Sequence, residues 1–242
     1  IVGIIVLATA LLAWVRWRKN RWLIHSITAA FALVLLAAIL GGVTVYAELK
    51  WWIVLLHLSI AEAVVACMSV ALVGVLGGLN PTVSKERLAS NRPYIDILVV
   101  SSVLGTFVII LSGSFMTGVG YGSYCGSWPL CGEELFSRGD PYLVHMGHRV
   151  ITAITGTLIV TTGILVWLRR AESAWLGLAG VAALSMFFLQ SIIGAATVWT
   201  DFSAALKATH LVGATLLWVS LMLVAAMHFA NRIHDRVGRA VQ

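Results

Sequence analysis

GGVTVYAELKWWIVLLHL, residues 41–58, and GAATVWTDFSAALKATHL, residues 194–211, align without a gap. Gly41 meets Gly194, Thr44 meets Thr197, Val45 meets Val198 and Tyr46 meets Trp199. Glu48 meets Asp201, His57 meets His210 and Leu58 meets Leu211, at an offset of 210 − 57 = 153. The same offset lays residues 1–16 on 154–169, so that Gly3 meets Gly156, Thr9 meets Thr162, Trp14 meets Trp167 and Arg16 meets Arg169. Chance apolar similarity does not keep Gly, Thr, Trp, His and Arg in one register. The chain carries an internal duplication.

Both copies are apolar. Of 242 residues 60% are hydrophobic and 11% charged, with mean hydropathy +0.96, where a soluble domain carries about 25% charged residues. Crossing a bilayer takes roughly 20 apolar residues. Seven apolar runs occur, at about 1–15, 22–45, 51–76, 94–118, 142–168, 174–199 and 203–230. The last four form one complete repeat unit, and the first copy shows only its last three. The fold class is therefore an all-α polytopic membrane protein of two pseudo-symmetric four-helix bundles. An even number of helices per unit keeps both copies in one orientation, related by an axis along the membrane normal.

The run at 1–15 is too short to span alone and opens on Ile1 rather than methionine, with no signal-peptide pattern. The full protein is expected to have eight transmembrane helices, the first lying upstream and the second truncated here. The expected organisation is an N-terminal half-bundle at 1–76, a linker at 77–93, a four-helix bundle at 94–230 and a tail at 231–242.

The net charge of +6 does not indicate nucleic acid, because its distribution follows the positive-inside rule. Twelve of the 16 basic residues fall on one side: Arg16, Arg18, Lys19, Arg21, Lys85, Arg87, Arg92, Arg169, Arg170, Arg232, Arg236 and Arg239. The other side has Lys50, Arg138, Arg149 and Lys207. The first set is assigned to the cytoplasm, which puts the C-terminus inside. Cys67 lies mid-crossing and reads as a small apolar residue. Cys125 and Cys131 share an outward loop, where a disulfide is favoured over a thiol pair that cycles.

Seven histidines occur. His25, His228 and His234 lie near the cytoplasmic side and read as snorkelling or solvated residues. His57, His148 and His210 each lie within about two turns of the outer end of a crossing, and ionisable residues at membrane depth are functional candidates. Paired imidazoles inside a helix bundle suit the two axial positions of a haem iron. His148 and His210 can approach across the second bundle. His57 would pair with a twin of His148 at 148 − 153 = −5, upstream of Ile1. Arg149 and Lys207 sit where haem propionates would meet the interface. Gly147 and Gly213 read as room for a flat macrocycle. His145 reads either as a propionate partner or as an interfacial residue. Glu48 and Asp201 read as interfacial acids. Glu62 reads either as part of a proton path or as a bond to a neighbouring helix.

MGHR at 146–149, CGSWPLC at 125–131, THL at 209–211 and LHL at 56–58 together resemble the haem A synthases, over essentially the whole chain. The resemblance implies an oxidoreductase that converts the C8 methyl of haem O to the formyl of haem A for cytochrome c oxidase assembly. It implies a haem b cofactor on His148 and His210, a substrate haem near His57, and a second histidine and a catalytic carboxylate upstream of Ile1. The setting it implies is a bacterial or archaeal plasma membrane. Its implied partners are lipid, a haem O donor enzyme and the oxidase assembly machinery, with an oligomer possible in principle. Two alternatives are a dihaem cytochrome for electron transfer only and a non-catalytic haem-handling assembly factor. Three helix histidines near one face speak against the first. A transporter fits less well, because the crossings lack paired Gly/Pro breaks near the midplane.

Overall fold

A computed structural model describes residues 1–76, 93–132, 139–171 and 173–240, with side chains described through 232. Apart from Pro93, which opens a helix, the expected linker lies outside the described residues with its Lys85, Arg87 and Arg92, as do Arg138 and the side chains of His234, Arg236 and Arg239. Every regular element described is a helix: α1 (Val2–Arg16), α2 (Arg21–Tyr46), α3 (Trp51–Val75), α4 (Pro93–Gly118), α5 (Asp140–Leu168), α6 (Ala174–Trp199) and α7 (Ala204–Ala240). Helices α2 to α7 are long and apolar enough to cross a membrane, and α1 is shorter. At 1.5 Å per residue the 26 residues of α2 span about 39 Å. The chain is an integral membrane protein.

The helix bounds follow the apolar runs within two residues, except at the C-terminus. There α7 continues through Asn231 to Ala240, where a tail was expected. Residues 231–240 are polar but hold no proline, and helical backbone bonds form regardless of side-chain polarity.

The duplication is visible in the backbone. Adding 153 to both ends of α2 gives both ends of α6, and adding it to Trp51 gives Ala204, the start of α7. Asn20 caps α2 by accepting from Leu23 N at 3.1 Å, and its twin Ser173 caps α6 by accepting from Leu176 N at 3.4 Å. The link from α2 to α3 turns through Glu48 and Leu49 at φ 53° and 59°, and that from α6 to α7 through Asp201 and Phe202 at 49° and 58°. In both links one amide closes the turn, Leu49 N to Thr44 O and Phe202 N to Thr197 O, each at 2.9 Å. A left-handed residue other than glycine costs about 1–2 kcal/mol. That each link keeps two of them shows how strongly the tight helix hairpins are favoured.

Helices α4 to α7 close into a ring: α4 packs on α5, α5 on α6, α6 on α7 and α7 back on α4. This leaves α5 and α7 on a diagonal. In the first copy α1 packs on α2 and α2 on α3. The copies join where α3 lies against α7 and α4. Near the end of α3, Val73 packs in one buried cluster with Ile95, Val99, Val166 and Val224. Inside lipid such packing works by close fit rather than by expulsion of water.

Midway along the seam the join is polar. Glu62 of α3 is 2% exposed. Thr215 of α7 donates to Glu62 Oε1 at 2.7 Å, and Trp218 Nε1 donates to the Glu62 carbonyl at 2.9 Å. Of the two readings offered for Glu62, the contact is the bond to a neighbouring helix. Glu62 and Thr215 are 153 apart and therefore repeat equivalents. At the opposite end of α7 from the helix histidines, Asp96 of α4 pairs with Arg232 and, at 2.8 Å, with His228 Nε2. His228 is 7% exposed, so the expectation that it snorkels is corrected. The carboxylate on the facing helix supplies the partner that solvent would otherwise supply.

Candidate cofactor site

His57 and His210 are each the seventh residue of their helix, and His148 is the ninth of α5. All three rings are half-buried. Each is backed by a glycine on the preceding helix. A Cβ on Gly41 would meet His57 Cε1 at 3.4 Å, one on Gly113 would meet His148 Cε1 at 3.1 Å, and one on Gly194 would meet His210 Cε1 at 3.0 Å. The missing side chains seat the rings.

His148 Nδ1 lies 2.8 Å from Ser112 Oγ, and Ser112 Oγ donates to Ile109 O at 2.9 Å. A serine hydroxyl has one proton. With that proton on Ile109, His148 Nδ1 is the donor to Ser112, and Nε2 keeps its lone pair. The Nδ1 atoms of His57 and His210 are buried without partners. Among the described residues the Nε2 atoms of all three rings bond to no other group, and they are not sealed in. His148 and His210, on diagonal helices, lie within electrostatic reach of each other.

This donor set fits a haem. Two imidazoles with bare Nε2 atoms stand on diagonal helices, and one is oriented through Nδ1 as metal-binding histidines commonly are. Among the described residues no three His, Cys, Asp or Glu side chains converge on one point. A macrocycle supplies four nitrogens itself and asks the protein for only two.

The described part of the link from α4 to α5, residues 119–132, packs against the ends of α5 and α6 on the side of these rings. Cys125 and Cys131 form a disulfide, with Cα atoms 4.9 Å apart. Arg149 NH1 donates to Pro129 O at 2.7 Å, while its NH2 is buried without a partner. Trp128 packs edge-on against Trp199. His145 is 2% exposed, bonds Gly122 O at 2.9 Å and packs edge-on against Phe202. The interfacial reading of His145 is thereby corrected: it fastens the loop to α5. Lys207 is exposed one turn before His210, and Glu48 and Asp201 are exposed in the two matching turns. His25 is exposed on α2.

The reading of Gly213 as room for a macrocycle is corrected by what lies beside it. Nothing lies within 4 Å of a Cβ at Gly147. The space at Gly213 is instead filled by Gln190 Oε1. The glycines that serve the histidines are Gly41, Gly113 and Gly194.

The family model described as cytochrome oxidase assembly protein, COX15-CtaA, matches residues 1–222. The chain belongs to the COX15-CtaA family. Among curated relatives of this family member, the haem A synthase of Shouchella clausii is 27% identical over 135 residues, 54% of this chain and 45% of that protein. The haem A synthase of Alkalihalophilus pseudofirmus is 24% identical over 140 residues, 57% of this chain and 47% of that protein. A protohaem IX farnesyltransferase of Chloroflexus aurantiacus is 34% identical over 139 residues, 56% of this chain but 23% of that protein. The aligned part spans about half the length of the haem A synthases it matches.

Ser112 was not singled out in the sequence, since serine is ordinary in membrane helices and lies 36 residues from His148. Ser112→Ala in the full-length protein is expected to weaken haem binding about 10- to 100-fold, the range for loss of a histidine's outer partner. Titration of the apoprotein with haem would read it. Wild-type affinity in the variant would remove Ser112 from the site.

Proposed function

We propose that the chain is part of a haem A synthase, an oxidoreductase that takes the C8 methyl of haem O to a formyl group through hydroxylated intermediates. His148 and His210 would hold haem b in the C-terminal bundle, and His57 would serve the substrate haem in the first copy. The observation that carries this reading is the diagonal pair His148 and His210, each half-buried, glycine-backed and bare at Nε2. The curated haem A synthases among the relatives support it.

When bound, haem b supplies one-electron redox chemistry. The chain's own work is positioning. Ser112 holds the His148 ring through Nδ1. Gly113 and Gly194 let the two rings sit tight against α4 and α6. The disulfide loop covers the outer end and limits water. It draws one arm of Arg149 to Pro129 and leaves the other arm for a propionate. The outer end would face away from the cytoplasm, with the C-terminus inside. Haem O would come from a farnesyltransferase of the kind named among the relatives, and haem A would pass to oxidase assembly.

Haem extracted from purified full-length protein, separated by chromatography and identified by mass, tests the proposal. Haem b together with haem O or haem A is the expected result. Haem b alone, at two per chain in cells that make no haem A, would point to an electron-transfer cytochrome, and absence of any haem would end the reading.

A further inference from the structure

The two copies agree behind their histidines and differ beside them. In the second copy Gln190 of α6 is 9% exposed. Its Nε2 donates to the backbone carbonyl of His210. Its Oε1 is buried without a hydrogen-bond partner and lies over Gly213, where a Cβ would otherwise stand. One hydrogen of Gly213 Cα therefore points at that oxygen, a contact common where helices approach closely. Gln190 and Gly194 are four apart on α6, and His210 and Gly213 are three apart on α7, so each pair shares one face of its helix. The amide grips α7 at His210 while Gly194 seats the ring.

Subtracting 153 maps Gly194 to Gly41 and His210 to His57, so the glycine seat is kept. The same subtraction maps Gln190 to Ala37 and Gly213 to Ile60. Ala37 has no side-chain group to donate, and Ile60 carries a side chain where Gly213 has none. Among the described residues no side chain grips the His57 carbonyl as Gln190 grips that of His210.

A metal ligand works within about 0.5 Å of its productive position, and groups behind it hold it there. The roles proposed above ask different things of the two copies. A resident haem must stay, whereas a substrate haem must enter and its product must leave. We propose that Gln190 is a positioning residue that makes the C-terminal bundle the tight haem site, and that Ala37 and Ile60 leave the His57 site the exchanging one. This rests on the haem reading given above.

The test uses full-length protein in detergent, as wild type, as Gln190→Leu, which keeps bulk but not the bond, and as Ala37→Gln/Ile60→Gly, which moves the grip to the first copy. Two readouts apply: the low-spin electron paramagnetic resonance of the oxidised haem, and the rate of haem transfer to excess apomyoglobin. Gln190→Leu is expected to shift the largest g value and to release haem b roughly tenfold faster, the scale of one lost hydrogen bond. The double variant is expected to slow haem release from the first copy by a similar factor. Unchanged g values and rates in Gln190→Leu overturn the proposal. Should that variant fail to fold, Gly213→Ala, which displaces the amide from its notch, must give the same shift or the proposal falls. Haem b retained in full by His210→Ala overturns the haem reading itself, and the positioning role with it.

Discussion

His148→Ala and His210→Ala, each made in the full-length protein, are expected to lose haem b at least a hundredfold in affinity, beyond the loss caused by removing an outer partner. His57→Ala is expected to keep haem b and to lose the farnesylated haem. The reason is geometric. Each C-terminal ring has one bare Nε2, and among the described residues the other imidazoles of α5 and α7 are engaged, since His145 is bonded to Gly122 O and His228 is bonded to Asp96 beside Arg232. Reduced-minus-oxidised spectra with haem extraction read the outcome. Full haem b in His210→Ala would end the assignment of the pair, and loss of all haem in His57→Ala would end the division of labour between the copies.

The second large effect is expected at the seam. Thr215→Val keeps the shape of the side chain but removes the donor to Glu62, leaving both buried carboxyl oxygens without a partner, because Oε2 has none already. An orphaned buried group costs about 1–3 kcal/mol, whereas replacing both partners by apolar groups of similar shape is close to neutral. Thr215→Val alone should therefore lower the unfolding midpoint in detergent more than the double variant Glu62→Leu/Thr215→Val does. The Trp218 bond goes to the Glu62 backbone carbonyl and survives in both variants. A double-mutant cycle measures the coupling. Strictly additive losses would show that the two side chains do not stabilise one another.

How much could be read from the sequence varies with the physics of each feature. Crossing helices are written as long apolar runs, so α2 to α6 were legible within two residues. The duplication was legible because polar residues and glycines kept one offset, and the structure extends it to a matched pair of left-handed residues in each turn. His57, His148 and His210 stood out because imidazoles are rare in apolar helices. Contacts between distant helices were not legible. Ser112 beside His148, Asp96 beside His228, and Gln190 in the Gly213 notch each join common residue types across separate elements. A signal existed for some of these. Positions where the offset of 153 fails, such as Ala37 against Gln190 and Ile60 against Gly213, mark where the two copies differ in their contacts.

The pairing of Glu62 with Thr215 also says something about history. In a symmetric dimer of one repeat unit, a residue at this place would lie on the two-fold axis and meet its own copy. Two carboxyls there would repel, and two identical hydroxyls could offer no fixed direction to the bond. Once both units share one polypeptide, the two sites can mutate separately, and one becomes donor while the other becomes acceptor. The bond at the seam is therefore available only once the two units differ in sequence. It ties the halves in one relative arrangement, which a pair of identical units could not do through this place.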